Sequence, residues 1–277
     1  MPQIRPFRAL RFDPATIGDL AAVVAPPYDV IDADEHERLL ARHPANVVRL
    51  DLPEVRSGDE PEDRYRRAAR TLAEWRSGSV LHKDPHPSVY LYEQIHLVPG
   101  TDVERSQRGY FARLRLETFG PDAGILPHER TLSGPREDRY KLLRATGVNS
   151  SPVVGLYDDT TGRTGGRIAA LSDRPADIEV VDDDGVQHRL WAVPADGEAS
   201  ERVAALLEPA IAGPVIIADG HQPTYESALR YRDERRMSRS CEEDPAFDYV
   251  LMLFLERTGQ TLEPKALTGL VINPHEW

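Results

Sequence analysis

The stretch Val215-Ile216-Ile217-Ala218-Asp219-Gly220-His221 constrains the fold more than any other part of the chain. A short apolar run, entered through Gly213-Pro214, breaks at Asp-Gly and passes into a segment with helical spacing. It therefore reads as a strand, a tight turn and a helix in succession. The first N–H groups of such a helix have no partner within it, and the helix dipole favours negative charge there. Asp219 and His221 stand at the mouth of this anion site. The rest of the chain reads as the scaffold and second wall for the turn.

At 277 residues the chain is long enough for a substantial core, and it is expected to form a single domain over residues 1–277. With 40% hydrophobic and 29% charged residues it has the balance of a soluble globular protein. No apolar run approaches the roughly 20 residues that span a bilayer. The N-terminus has no basic segment followed by an apolar stretch. The expected location is the cytoplasm, with no membrane partner. The single cysteine, Cys241, excludes an internal disulfide and a cysteine zinc cluster, and its acidic flanks disfavour a reactive thiolate. A net charge of −12 argues against a nucleic-acid partner but leaves room for a nucleotide, for which a few local cations suffice. Nothing in the sequence signals an oligomeric state.

Residues 4–12 alternate loosely and predict a first strand. Residues 23–31 contain Pro26-Pro27-Tyr28-Asp29. Paired prolines hold the backbone extended and remove two ladder donors. The segment is expected at a sheet edge or along a pocket, with Pro27, Tyr28 and Asp29 as lining, or as a rigid connector with Tyr28 packed on the core. Asp32 and Glu35 form a capping-box pattern ahead of a helix over about 33–42. Residues 47–50 read as a strand. Tyr65, Ala68, Ala69, Leu72 and Trp75 recur at helical spacing within 62–77, with Gly78 as the stop.

Residues 89–98 and 109–119 read as the arms of a hairpin, and 151–157 as a buried strand. Residues 160–166 read as a flexible turn. Asp182-Asp183-Asp184-Gly185 joins two further strands in a tight turn; it lacks the spacing and closing glutamate of a calcium loop. Helices are expected over about 197–207 and 224–236, and apolar strands over 249–255 and 267–272. The fold class expected is α+β, with mixed sheets and flanking helices.

A second informative stretch is Pro127-His128-Glu129-Arg130-Thr131-Leu132-Ser133-Gly134-Pro135. A helix starts near Pro135, the first-turn position that proline favours, and Gly147 stops it. Glu137 and Asp138 in its first turn, and Lys141 and Arg144 in its last, suit the helix dipole. The dipole does not account for His128-Glu129, which precede the helix. They are candidates for a wall facing the Asp219-Gly220-His221 turn.

Together with Ile4-Arg5-Pro6-Phe7-Arg8-Ala9-Leu10, Ala25-Pro26-Pro27-Tyr28-Asp29-Val30-Ile31 and Ser151-Pro152, these two stretches resemble one bacterial and archaeal family. It is the domain-of-unknown-function family numbered ten-fifteen, and the likeness runs in order along essentially the whole chain. That family resembles, more distantly, the ParB/sulfiredoxin-like fold and its free-serine kinases. The resemblance implies a ParB/sulfiredoxin-like core. It also implies a nucleotide-dependent phosphotransferase acting on a small hydroxyl metabolite such as free serine, using ATP or ADP with Mg²⁺.

By that resemblance Glu129 is the base for the substrate hydroxyl. Gly220, His221, Gln222 and Thr224 are phosphate-side, Arg136 and Arg139 supply positive charge, and Asp219 binds Mg²⁺ or orients His221. His128 joins Pro27, Tyr28 and Asp29 in the pocket wall. The family's turn reads Asp-Gly-His-His-Arg-Tyr-Glu-Thr. Here the second His is Gln222, the Arg is absent, and one residue is inserted before Tyr225. An arginine fork on phosphate contributes about 1.5–3 kcal/mol. Relatives usually continue beyond the strand that ends here near Trp277, so a C-terminal portion is expected to be lacking.

Two other readings stay open. One is a nucleotide- or metabolite-binding regulatory module without turnover, favoured by the missing Arg and the short C-terminus. The other is metal-dependent hydrolysis from His128, Glu129, Asp219 and His221, which has no His-Glu-x-x-His spacing behind it.

Overall fold

Tyr110, Ala112 and Leu114 alternate with Phe111, and both sets are buried in different clusters. A strand apolar on both faces needs a sheet covered on both sides. The computed structural model describes residues 1–98, 100–120, 123–127, 134–219, 221–238, 243–257 and 266–275, and shows that arrangement. In chain order the strands are β1 (Ile4–Arg5), β2 (Leu10–Phe12), β3 (Leu81–Lys83), β4 (Ser88–Leu97), β5 (Glu104–Arg115), β6 (Ile125–Leu126) and β7 (Val148–Asn149), followed by β8 (Val153–Tyr157), β9 (Ile178–Val181), β10 (Gln187–Pro194), β11 (Val215–Asp219), β12 (Tyr249–Glu256) and β13 (Asn273–Pro274). One mixed sheet runs in the order β6-β11-β8-β12-β5-β4-β10-β9, and β1 pairs with the end of β5. The β6–β11 and β8–β12 pairs are parallel, and the other pairs in this sheet are antiparallel. The close approach of β12 to β5 leaves no room for a side chain at Gly109. A Cβ there would stand 2.4 Å from the Phe254 carbonyl oxygen on β12.

Helices Gly134–Thr146, Thr164–Leu171, Ser200–Ala212 and Ser227–Ser238 place Tyr140, Ile168, Leu206 and Tyr231 in the cluster on one face. The opposite face is covered by Phe7, Val24 and the 266–272 segment. Beside it, the helices Ala33–Arg42 and Asp63–Ser77 pack Leu39, Leu72 and Trp75 into a third cluster. The architecture is thus α+β, a mixed sheet with flanking helices. Among the described residues no helix is long and apolar enough to cross a membrane.

Several local expectations hold. Asp32 Oδ1 accepts from the Glu35 amide at 2.8 Å and starts the Ala33–Arg42 helix. Gly78 ends the Asp63–Ser77 helix. Gly147, at φ 65°, follows the Gly134–Thr146 helix.

Others are corrected. Residues 4–12 are two short strands in different sheets, because Pro6 between them has no N–H for a ladder. Residues 47–50 are not a strand: Val48–Asp51 is a short helix. Asn46 imposes it, donating through Nδ2 to the carbonyls of Ala22 and Val24 while Oδ1 accepts from the Val48 amide. That cap overrides the β-branched pattern. Within 160–166 the chain enters the Thr164–Leu171 helix. Asp159 receives the Thr161, Arg163 and Thr164 amides and holds that helix start. Residues 267–272 do not form a strand; they bridge to Ala25 and Leu10 and turn at Gly269, φ 94°.

Candidate functional site

In β11 Val215 and Ile217 are buried and Asp219 is exposed at the strand's end. Its parallel partner is β6, with Val215 opposite Ile125 and Ile216 opposite Leu126. The chain therefore leaves both strands at the same edge of the sheet, through Pro127 from one and Asp219 from the other. The register of β11 against β8 shifts between Ile217 and Asp219, a bulge that re-aims the strand end.

Beyond it the backbone forms a π-helical turn, His221–Glu226, before the α-helix Ser227–Ser238. The expected α-helix thus begins three residues later than the spacing indicates. Such turns are rare and occur often at functional sites. Tyr225 pins this one. Its hydroxyl donates to the Glu117 carbonyl at 2.9 Å and accepts from the Glu117 amide at 3.0 Å. Its ring stacks on Phe119 at 5.1 Å.

The Gly134–Thr146 helix packs against this turn. The Ser227 hydroxyl donates to the Arg136 carbonyl at 2.8 Å, and the Arg136 guanidinium pairs with Glu226. Arg139, one turn on, points inward and is 7% exposed. Its Nη1 donates to the Asp51 carbonyl at 2.6 Å. Its Nε and Nη2 donate to Asp138 Oδ2 at 3.0 and 2.7 Å. Its guanidinium lies 4.1 Å from the centre of the Tyr28 ring. The buried Asp51 carboxylate accepts from Ser150 Oγ at 2.6 Å and Ser151 Oγ at 2.8 Å. Ser151 also meets the Thr268 hydroxyl at 3.1 Å.

These contacts set the titration of the cluster. Burial pushes Arg139 down, but Asp51 and Asp138 outweigh it and the guanidinium is held above its ordinary range. Burial pushes Asp138 up, but Arg139, Tyr65 and Arg64 hold it below the usual carboxylate range. Burial raises Tyr28, against the pull of Arg139.

Thr224 and Ser227 from the π-helical turn and its helix line one small cleft with Asp51, Arg139, Asn149, Ser150 and Ser151. Leu142, Leu143 and Val148 complete its wall. The free space is about 30 Å³, room for about one water-sized group.

Behind the cleft His275 is buried, and its Nε2 donates to Asn149 Oδ1 at 2.5 Å. Burial first, and Arg113 second, push its pKa down from 6.5 to about 3. The folded protein therefore keeps this imidazole neutral where the unfolded chain takes up a proton. Stability from this site is complete above about pH 6.5 and is lost as pH falls toward 3. Between pH 7 and pH 5 the loss is expected to be about 2 kcal/mol. Urea unfolding across that range checks it, and His275→Gln should flatten the slope.

Of the residues that the sequence nominates, Tyr28, Arg139 and Thr224 lie at or beside this cleft. Pro27 precedes the single 3₁₀ turn Tyr28–Val30 in extended conformation, so the segment runs to the cleft without joining the main sheet. Asp29 is exposed. Arg136 lies at the far side of the π-helical turn, on Glu226. His128, Glu129 and Gly220 lie outside the described residues, and His221 and Gln222 are described through their backbone alone. The sequence carries no motif that points to Asp51, Asn149, Ser150 or His275. Asp51 was hidden because residues 47–50 carry a strand-like pattern.

Asp219 offers one carboxylate, which suits an Mg²⁺ ion that arrives on phosphate and keeps its waters. Among the described residues no three His, Cys, Asp or Glu side chains converge as a protein-held metal site would require.

A family model described as protein of unknown function (DUF1015) matches residues 4–264. No curated protein matches the chain, and no solved structure does.

Proposed function

The chain belongs to the DUF1015 family of proteins of unknown function, and we propose that this member is a nucleotide-dependent phosphotransferase acting on a small hydroxyl compound, free serine being the family-adjacent candidate. The parallel pairing of β6 with β11 carries the reading. His128-Glu129 follow the first strand and Asp219-Gly220-His221 the second, so the two stretches start from neighbouring points of one edge. The carboxyl ends of parallel strands are where ligands of α/β sheets ordinarily bind.

In this reading the substrate oxygen bonds to the terminal phosphorus of the nucleotide. The bond to the bridging oxygen breaks, and Glu129 takes the hydroxyl proton. Main-chain amides after Gly220, with His221, Gln222 and Thr224, hold phosphate oxygens. Mg²⁺ borne by those oxygens would meet Asp219 and screen their charge.

One observation favours the second reading, a nucleotide-binding module without turnover. Arg136 and Arg139 both have carboxylate partners, Glu226 for one and Asp138 and Asp51 for the other. In that arrangement neither supplies the fork that the family's absent arginine would bring to phosphate.

Thermal unfolding with ATP, ADP and CTP, each with Mg²⁺, tests both. A nucleotide at a hundredfold its Kd should add about 2.7 kcal/mol of stability. No shift with any nucleotide ends both readings. A shift without consumption across a panel of hydroxyl compounds leaves the module.

A further inference from the structure

We propose that the cleft between Asp51, Arg139, Ser151 and Thr224 is a subsite for a hydroxyl group, and that the acceptor, in place of the family-adjacent serine, is a small polyol that places one hydroxyl here and presents another for transfer. The transfer step rests on the phosphotransferase reading; the binding of a hydroxyl rests on the cleft alone.

Three features select that group. The first is size: about 30 Å³ admits one water-sized head. The second is charge. A buried carboxylate, Asp51, and a buried guanidinium, Arg139, both line the space. An ammonium head would face Arg139 and a carboxylate or phosphate head would face Asp51, so either meets a like charge in a poorly solvated place. A hydroxyl is neutral, gives one hydrogen bond and takes two. Asp51 Oδ2 accepts from Ser151, and a carboxylate oxygen has a second lone pair for such a donor.

The third feature is direction. Ser151 and Thr224 are the half-buried members of the lining, whereas Asp51, Ser150 and Ser227 are buried. The cleft therefore opens between Ser151 and Thr224, and Thr224 belongs to the turn that follows Asp219. A hydroxyl held against Asp51 leaves the rest of a three-carbon chain pointing toward the turn.

Saturation-transfer NMR on the full chain, without nucleotide, tests the subsite directly. Glycerol and propane-1,2-diol would be compared with 1,2,3-trimethoxypropane, propylammonium and propionate, none of which brings a hydroxyl. Glycerol is expected to bind at least tenfold more tightly than each of the three. Thr224→Val at the mouth should erase most of that preference while leaving the melting temperature unchanged. Asp51→Asn should do the same if it folds, and if it does not, Thr224→Val decides alone. Equal binding of glycerol and trimethoxypropane, tighter binding of propylammonium or propionate, or a preference that survives Thr224→Val overturns the proposal. Polyol selectivity without any nucleotide-induced thermal shift would retain the subsite and remove the phosphotransferase. A nucleotide shift without polyol selectivity would do the reverse.

Discussion

Arg139→Ala is expected to lower the free energy of unfolding by about 3–5 kcal/mol, the usual result of removing one partner from a buried ion pair. The arginine joins three parts of the chain: the Tyr28 segment by stacking, Asp51 through its carbonyl, and its own helix Gly134–Thr146, where two N–H groups donate to Asp138. Alanine would leave Asp51 and Asp138 as neighbouring carboxylates without their shared cation. Urea unfolding and calorimetry should show a melting temperature lower by roughly 10 °C for a chain of this size.

Arg139→Lys is expected to recover part of the loss, because it returns the charge without the fork that spans two acceptors. The pH dependence follows from Asp138. Its folded pKa is depressed, so its stabilisation is present above the ordinary carboxylate range and is lost as pH falls through the folded value. The gap between wild type and Arg139→Ala should therefore narrow in acid. A loss under 1 kcal/mol at neutral pH would mean that the network does not hold these segments together.

On the proposed phosphotransferase reading, Glu129→Gln is expected to lower turnover by about 10²–10⁴-fold, the contribution of a positioned general base. The amide keeps the shape and the hydrogen-bonding capacity but takes no proton. The nucleotide-induced thermal shift should be unchanged, since phosphate is assigned to the turn after Asp219. Full activity in the variant would remove Glu129 as the base. A fall in activity matched by a lost thermal shift would move it to the nucleotide side.

The sequence and the structure agree where local chemistry is strong enough to act alone. The cap at Asp32 and the stops at Gly78 and Gly147 are set by residues within a few positions of one another, and each appears as read. The strand at Val215–Asp219 is legible for the same reason. The turn after it is not. The α-helical spacing of Tyr225, Ala228 and Tyr231 says nothing of a π-helical turn. That turn closes by bonds one residue longer than α-helical ones, in a stretch one residue longer than the family's Asp-Gly-His-His-Arg-Tyr-Glu-Thr pattern. The roles of Arg136 and Arg139 illustrate the same limit. Three residues apart on one helix, they read as equivalent cations, yet one is at the surface on Glu226 and the other is enclosed with Asp51 and Asp138.

By itself, then, the sequence determined which residue types could carry chemistry and those strands and helices whose signals are local, but not the helices at Val48–Asp51 and Thr164–Leu171 or the bridging segment 267–272. It did so through periodicity, caps and turn residues, whose energies act over a few positions. Tertiary structure alone decided that β6 lies parallel beside β11, and that Asp51, Arg139, Ser151 and Thr224 share one cleft. Those contacts join positions up to some 170 residues apart, and no local propensity encodes them. They arise from burying both faces of the mixed sheet while giving each enclosed charge a partner.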